Sequence, residues 1–586
     1  MMDQAIRRQI YTLLIVVSAA LIFGRIAAVD SIPDRAIENA RRAMIPSRVA
    51  QRRAELRKRG VAEGRIEQDL KQLAHRLLED AKKDRPTLSA NDRSRWLTIR
   101  ALVEPDCRLY RYVPLDRAGK EGPYSADEIK RGCSCPCPDR FCRENCPPGA
   151  AYQKQWVPFA IDKVMETGGW ETIDMVKHGL KDEQYDPADP HSGYLYSSKP
   201  TLLPAVMAVP YWILYHTTGL SLANHPFLTA RILLVIYNLL PLVLGWVLMA
   251  RLIERYGKTD WGRIAAVAAL CFATFLSTFA VTVNNHLPGF VSVIIALYCA
   301  SRILDGDRRW RQFLGAGLFG AFAVACELPA AIIALLLCAV LLVRAPLKTL
   351  TISVSAGLAV AFLFFGTNYI AHQTIKPAYA QKRDHLAVAR AEHPDDPDNV
   401  SVSSFDPDDW YIYRYFPAGK ARDTKLARTS YWANRTGVDR GEPSMLVYLL
   451  HTTIGHHGVF SLSPIWILSF IGAFSIGFRK QSAPAARAMA LTVLAVTAIF
   501  FAFYISRPKG DRSYGGITSG LRWFFPLIPI WFLTILEPLD RMASSRAGRA
   551  VALALLALSV MSVSYPVWNP WTHPWFYDLM VSMHWI

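Results

Sequence analysis

The chain has 586 residues, of which 52% are hydrophobic and 19% charged, with 16 Trp, 24 Tyr and 27 Phe. A soluble chain is usually nearer roughly 45–50% apolar and about 25% charged. Long apolar runs after position 200 exclude a secreted disulfide scaffold, a coiled coil or a disordered chain as the overall class. The net charge of +18 does not call for nucleic acid, because a membrane protein concentrates Lys and Arg in its cytoplasmic loops.

A spanning helix needs about 20 mostly apolar residues. The first such run is Tyr11 to Ala28, behind Arg7 and Arg8, which places the N-terminus inside. A cleaved signal peptide has the same look: a basic start, an apolar run, and small residues at Ala27 and Ala28. Residues 29–86 then carry 15 Lys/Arg and 10 Asp/Glu. Ile66, Leu70, Leu73 and Leu77 recur there at helical spacing, so the stretch reads as a solvated helical hairpin or insertion. Further apolar runs lie near 201–218, 227–252, 264–283, 286–303, 312–327, 329–344, 348–371, 459–478, 486–506, 520–537 and 548–566.

Five basic loops decide which runs cross. They carry Arg251, Arg255 and Arg263; Arg302, Arg308 and Arg311; Arg344 and Lys348; Arg479, Lys480 and Arg487; and Arg541, Arg546 and Arg549. All five fall inside if 201–218 does not cross, and Pro204 and Pro210 also disfavour a plain span there. The expected fold is therefore all-α and polytopic, with about eleven spans and a juxtamembrane helix. Residues 1–28 are the first span, and 29–200 a large outer loop with a charged insertion and a Cys-rich segment. Residues 201–371 hold the juxtamembrane helix and further spans, 372–458 a second outer loop, and 459–586 the C-terminal spans.

This topology collects unusual polar residues on the outer face: Asn284, Asn285 and His286; Glu327 before Pro329; His451, His456 and His457; and Tyr514 with Arg522. Ionisable groups at membrane depth are costly and mark a site or a paired network. A carrier more often places them at mid-membrane on interrupted helices. Asn285, His286, Glu327, His456, His457 and Tyr514 are thus candidates for substrate binding, and Arg522 for holding a phosphate. His456 and His457, with His451, also have the chemistry to ligate a divalent metal, although no acid partner is evident. Cys107, Cys133, Cys135, Cys137, Cys142 and Cys146 lie in the first outer loop and read as up to three disulfides or, alternatively, a metal site. Cys271, Cys299, Cys326 and Cys338 read as small hydrophobes in spans.

Two segments of the first outer loop carry more chemistry. Asn91–Asp92–Arg93–Ser94–Arg95–Trp96 opens a helix, where Asp92 is either a cap or a general base kept ionised by Arg93 and Arg95. Tyr196–Ser197–Ser198–Lys199–Pro200–Thr201–Leu202 opens the juxtamembrane helix. A cation at a helix start opposes the helix dipole, and a phosphate shared by Lys199 and the helix N-terminus would resolve the conflict.

The acidic residue followed by Arg and an aromatic residue, and then Lys-Pro-x-Leu opening a surface helix, resembles the GT-C superfamily of integral-membrane glycosyltransferases. The likeness is to the branch with protein O-mannosyltransferases and lipid A aminoarabinose transferases. The resemblance implies that Asp92 is the catalytic base and that Lys199 contacts the donor phosphate; Arg95 and Tyr196, in the same two segments, are further candidates for substrate binding. It implies transfer of a sugar from a polyprenyl-phosphate donor to a glycan, lipid or protein acceptor at the outer face of the cytoplasmic membrane, by one inverting displacement. Two departures stand out: Asp92 lies more than 60 residues beyond the first span, and Thr201 replaces the second proline of the family's Lys-Pro-Pro-Leu. Asp162, Asp174 and Asp182 are rival acids. A flippase or carrier of lipid-linked precursors, and a scaffold displaying the Cys-rich loop, are the other classes the sequence admits.

Overall fold

Apolar runs near the thickness of a bilayer have little choice but to become helices, because only helices satisfy their own backbone groups there. The computed structural model describes residues 2–29, 35–81, 89–114, 152–382, 405–416, 427–566 and 569–586, apart from 168, 182, 434 and 436. The chain is mostly helical. Among the described residues, eight helices are long and apolar enough to cross a membrane: α1 (Gln4–Ala27), α7 (Pro226–Tyr256), α8 (Asp260–Phe279), α9 (His286–Leu304), α12 (Pro346–His372), α15 (Pro484–Ile505), α16 (Arg522–Met542) and α17 (Arg546–Ser564). Shorter apolar helices fill the remaining runs: α10 (Trp310–Cys326), α11 (Ala331–Arg344) and α14 (Trp466–Phe478). α9 packs on α10, and α14 on both α15 and α16. One continuous core runs through the bundle, with Trp246 and Trp531 fully enclosed.

Outside the bundle, α2 (Arg35–Lys58) and α3 (Glu63–Ala81) form the expected charged hairpin. Its small seam is Leu56, Ile66 and Leu70, flanked by Arg52–Asp69 at 3.1 Å and Arg57–Glu63 at 2.6 Å. Three short antiparallel ribbons complete the polar portion. β1 (Tyr110–Pro114) pairs with β2 (Tyr152–Trp156), β3 (Met175–His178) with β4 (Tyr194–Ser197), and β5 (Arg414–Tyr415) with β6 (Arg428–Thr429). Between β2 and β3 lies the short α5 (Asp162–Glu166). The last helices of the polar regions are α13 (Met445–Thr453) and α18 (Trp575–Ser582).

The helix that carries Asp92 is α4 (Ala90–Val103), buried from Asp92 through Ala101. Its cap is neither Asn91 nor Asp92: the Ser89 hydroxyl accepts the Asp92 backbone N–H at 3.2 Å, which frees the Asp92 side chain for another partner. α4 packs on α6 (Leu202–Thr218), the expected juxtamembrane helix. Leu203, Met207 and Tyr211 of α6 are buried, whereas Val206, Val209, Trp212 and Ile213 are exposed. An apolar face left open on a helix of this kind suits lipid contact.

α4 and α6 are tied by a buried network. Arg100 donates to Glu104 from Nε at 3.0 Å and from Nη2 at 2.7 Å, and the Tyr211 hydroxyl donates to Glu104 at 2.5 Å. Cys107 joins it, its Sγ 3.2 Å from Glu104 Oε2. This corrects the sequence expectation for Cys107. It is a free, buried thiol, pushed up to about 12 by desolvation, and not part of a disulfide. Cys133, Cys135, Cys137, Cys142 and Cys146 lie outside the described residues.

Removing one member of a fully buried ion pair leaves an uncompensated charge. Glu104→Ala is therefore expected to destabilise the protein by about 3–5 kcal/mol in denaturant titration. Maleimide labelling of Cys107 should appear only on unfolding; rapid labelling of the folded protein would show that the network does not enclose the thiol.

Candidate functional site

Several of the residues singled out from sequence meet at the ends of α4, α8, α9, α10 and α16. The Val283 N–H, in the turn between α8 and α9, donates to Asp92 Oδ1 at 2.8 Å. Asn284 is structural: its amide donates to the Phe279 and Thr282 carbonyls, each at 3.0 Å, and its oxygen accepts the Leu287 N–H at 2.9 Å, so it caps the start of α9. That cap turns the next two residues inward. Asn285 accepts from Arg95 and donates to the Cys326 carbonyl at 2.9 Å and to Glu327 at 2.5 Å. His286 faces Glu327 through Nδ1 and accepts from Arg522 Nε at 2.9 Å through Nε2. An arginine Nε can only donate, so the His286 proton sits on Nδ1, toward the carboxylate.

Arg522 makes two more contacts. Its Nη2 donates to the Gly515 carbonyl at 2.9 Å, and its guanidinium lies over the Trp571 ring, 4.3 Å from the centroid. Nη1, also buried, has no hydrogen-bond partner among the described residues. Beside this chain, Lys199 meets Asp174 at 3.0 Å. Lys199 is the more open of the two, with 19% of its side chain accessible against 11% for Asp174. The neighbouring Ser198 hydroxyl is buried and has no hydrogen-bond partner among the described residues. Burial pushes Lys199 below the usual lysine range; Asp174 opposes the shift, and Arg95 and Arg522 reinforce it. Burial likewise lowers Arg95, against the pull of Asp174, Asp92 and Glu327. The site thus holds three mutually repelling cations, Arg95, Lys199 and Arg522, and an unsatisfied N–H on one of them.

Seven of the residues expected from sequence are brought into this cluster: Asp92, Arg95, Lys199, Asn285, His286, Glu327 and Arg522. Four are not. Tyr196 stacks on His178 at 4.5 Å, in an aromatic group with Trp410 and His372, and its hydroxyl has no hydrogen-bond partner among the described residues. His178 is driven down to about 4 by burial. His456, His457 and Tyr514 form a second stacked group with His451, His573 and Tyr577: His457 lies on Tyr514 at 4.6 Å and His451 on His456 at 3.9 Å. Burial lowers His456 to about 3 and also lowers His457, as expected of neutral rings in an aromatic cluster. This group adjoins the first through Gly515. Among the described residues, no three His, Cys, Asp or Glu side chains are placed to hold a metal ion.

Sequence reasoning named Asp174 only as a rival acid and overlooked Ser198, Trp571 and Asp439. Asp439, from the second outer loop, accepts from the Tyr431 hydroxyl at 2.8 Å, is raised by burial and lies within the fields of Asp174 and Lys199. None of these has a local signal; each is recruited by tertiary packing. Of the other rivals, Asp182 lies outside the described residues, and Asp162 has a structural post. Its carboxyl accepts the Leu195 N–H of β4 at 3.0 Å. Comparison with family models, with curated proteins and with solved structures returns no match for this chain.

Burial raises Asp162 from 3.8 to about 7, so the folded chain keeps a proton that the unfolded chain releases. The contribution to stability is full below the unfolded value and is lost as pH rises toward about 7. Asp162→Asn keeps the acceptor for Leu195 without the titration. Thermal melts of the variant should vary less with pH across this window, and the variant should be the more stable protein above it.

Proposed function

We propose that the chain is a glycosyltransferase of the GT-C kind, acting on a polyprenyl-phosphate sugar at the outer face of the cytoplasmic membrane. The observation that carries the reading is a cluster of three cations, Arg95, Lys199 and Arg522, within one another's fields, in which the buried Nη1 of Arg522 has no hydrogen-bond partner among the described residues. A phosphate would offer Nη1 an acceptor and would offset the repulsion between Lys199, Arg95 and Arg522. An apolar groove of about 530 Å³ between α10, α11 and α12 adds support. It runs from Leu341 and Ser353 to Leu328, Pro377 and Tyr379, so its mouth lies next to Glu327, where a prenyl tail would leave the bilayer with its phosphate at the cluster.

In this reading the chain has about eleven spans, with α10, α11 and α14 crossing beside the eight longer helices. The acceptor hydroxyl attacks the anomeric carbon of the donor while its proton passes to Asp92. The bond from the anomeric carbon to the phosphate oxygen breaks, and the polyprenyl phosphate leaves with the negative charge that Lys199 and Arg522 stabilise. The Val283 N–H fixes the direction of the Asp92 carboxyl. Glu327 and His286 brace Arg522, and Asn285 braces Arg95.

The test is release of label from radiolabelled polyprenyl-phosphate sugars by the protein in lipid. Asp92→Asn is expected to cut release by about 10²–10⁴, the usual contribution of a general base. Arg522→Ala and Lys199→Ala should each cost about 10²–10³ through lost stabilisation of the leaving phosphate. Equal release by wild type and Asp92→Asn would shift the base to Asp174. No release from any donor, with the lipid still bound, would favour a carrier.

A further inference from the structure

At the end of α9 opposite His286, the structure holds a second charged feature that the proposed reaction does not use. Sixteen residues of α9 separate His286 from Arg302, about 24 Å along the helix axis. There α1, α7, α8, α9 and α10 line an open cavity of about 1140 Å³. Eight arginines and one carboxylate, Glu254, line it. Five of the arginines are held by acids: Arg7 meets Glu254 at 2.6 Å and Asp260 at 2.8 Å, and Arg302 and Arg309 share Asp307. Arg263 lies 3.9 Å from Glu254, and Arg255 pairs with Asp305. The remaining three, Arg8, Arg251 and Arg311, have no ion-pair partner among the described residues, and all three are exposed.

These three come from separate helices, α1, α7 and α10, and face one space. Arginines that merely fix topology have no need to converge, and convergence without an acid between them is unfavourable. The wall on the bundle side is different: Ile15, Val247, Leu252 and Tyr298 carry the cavity from the basic rim toward apolar depth. A basic rim above an apolar wall, between helices at headgroup level, has the chemistry to take a phosphodiester with acyl chains attached.

We propose that this cavity binds the headgroup of an anionic phospholipid from the inner leaflet, with its phosphate on Arg8, Arg251 and Arg311 and its chains along Ile15 and Val247. The leaflet rests on the topology given by the basic loops; the site itself is independent of glycosyl transfer. Because α9 carries Asn285 and His286 at its other end, the lipid would brace the same helix on which the candidate active site is built.

The experiment uses the full chain in neutral detergent, titrated with short-chain phosphatidylglycerol, short-chain phosphatidylcholine or inorganic phosphate, and reads the thermal midpoint and binding. Three proteins are compared: wild type, Arg8→Gln/Arg251→Gln/Arg311→Gln, and a control with the same charge loss elsewhere, Lys480→Gln/Arg546→Gln/Arg549→Gln. Phosphatidylglycerol is expected to raise the wild-type and control midpoints, and the cavity variant should bind it roughly a hundredfold more weakly. Phosphatidylcholine and inorganic phosphate should leave all three unmoved. A midpoint raised equally by inorganic phosphate would overturn the lipid assignment in favour of a soluble anion. Equal loss in the control and the cavity variant would overturn the site itself, leaving only diffuse surface attraction. The midpoint without lipid reports whether either variant is misfolded. If the cavity variant is, the single change Arg311→Gln replaces it, and binding unchanged from wild type would contradict the proposal.

Discussion

A buried polar chain is the constraint on which the arrangement of the bundle depends. Arg95, Asn285, Glu327, His286 and Arg522 pass hydrogen bonds and charge from α4 across α9 and the end of α10 to α16. In a medium of low effective dielectric, such groups are tolerated only when each has a partner, and losing one exposes the next. The chain therefore fixes the relative depth of α4, the α9–α10 hairpin and α16, three parts far apart in sequence. Among the described residues, it leaves the Nη1 of Arg522 without a hydrogen-bond partner. A gap of this kind is costly in the resting protein, and in the proposed reading an anionic substrate would offset the cost.

The molecule is polarised along the helix axes. At one end the cations are buried and sit among Asp92, Asp174 and Glu327, with Lys199 as the most open member. At the other, arginines ring a wide cavity. The same residue type has different work at the two ends. Arg522 is enclosed and directional, with an aromatic ring beneath it, whereas Arg8 and Arg311 are exposed and free to follow a diffuse charge. The polar portion contributes through α4 and α6, whose Arg100–Glu104–Tyr211 network holds the Asp92 helix against the bundle.

Much of this was legible in the amino-acid sequence because lipid enforces simple rules. The apolar runs became helices, and the basic loops between them gather at one end. Asn285, His286, Glu327 and Arg522 stood out because polar residues at helix ends in a membrane demand partners. Other features were hidden. The cap of α4 is Ser89, one turn ahead of the residue that looked like a cap, and only the backbone geometry distinguishes them. Cys107 read as one of six loop cysteines, yet its neighbour in space is Glu104. His456 and His457 looked like ligands by spacing, but ring stacking with Tyr514 and Tyr577 places them in a desolvated aromatic group. Asp439 and Trp571 join the site through folding of distant loops, which no local pattern encodes.

The central claim is that the cluster built on Arg522 and Lys199 is a phosphate site facing an apolar groove. The most direct measurement is a cryo-EM structure of the protein in lipid with polyprenyl phosphate, the donor's leaving group, and no sugar. The account predicts phosphate density within hydrogen-bond distance of Arg522 Nη1 and Lys199 Nζ, with the first isoprene units entering the groove near Leu328 and Tyr379. Density for the lipid bound elsewhere, with Arg522 and Lys199 unchanged, would contradict it.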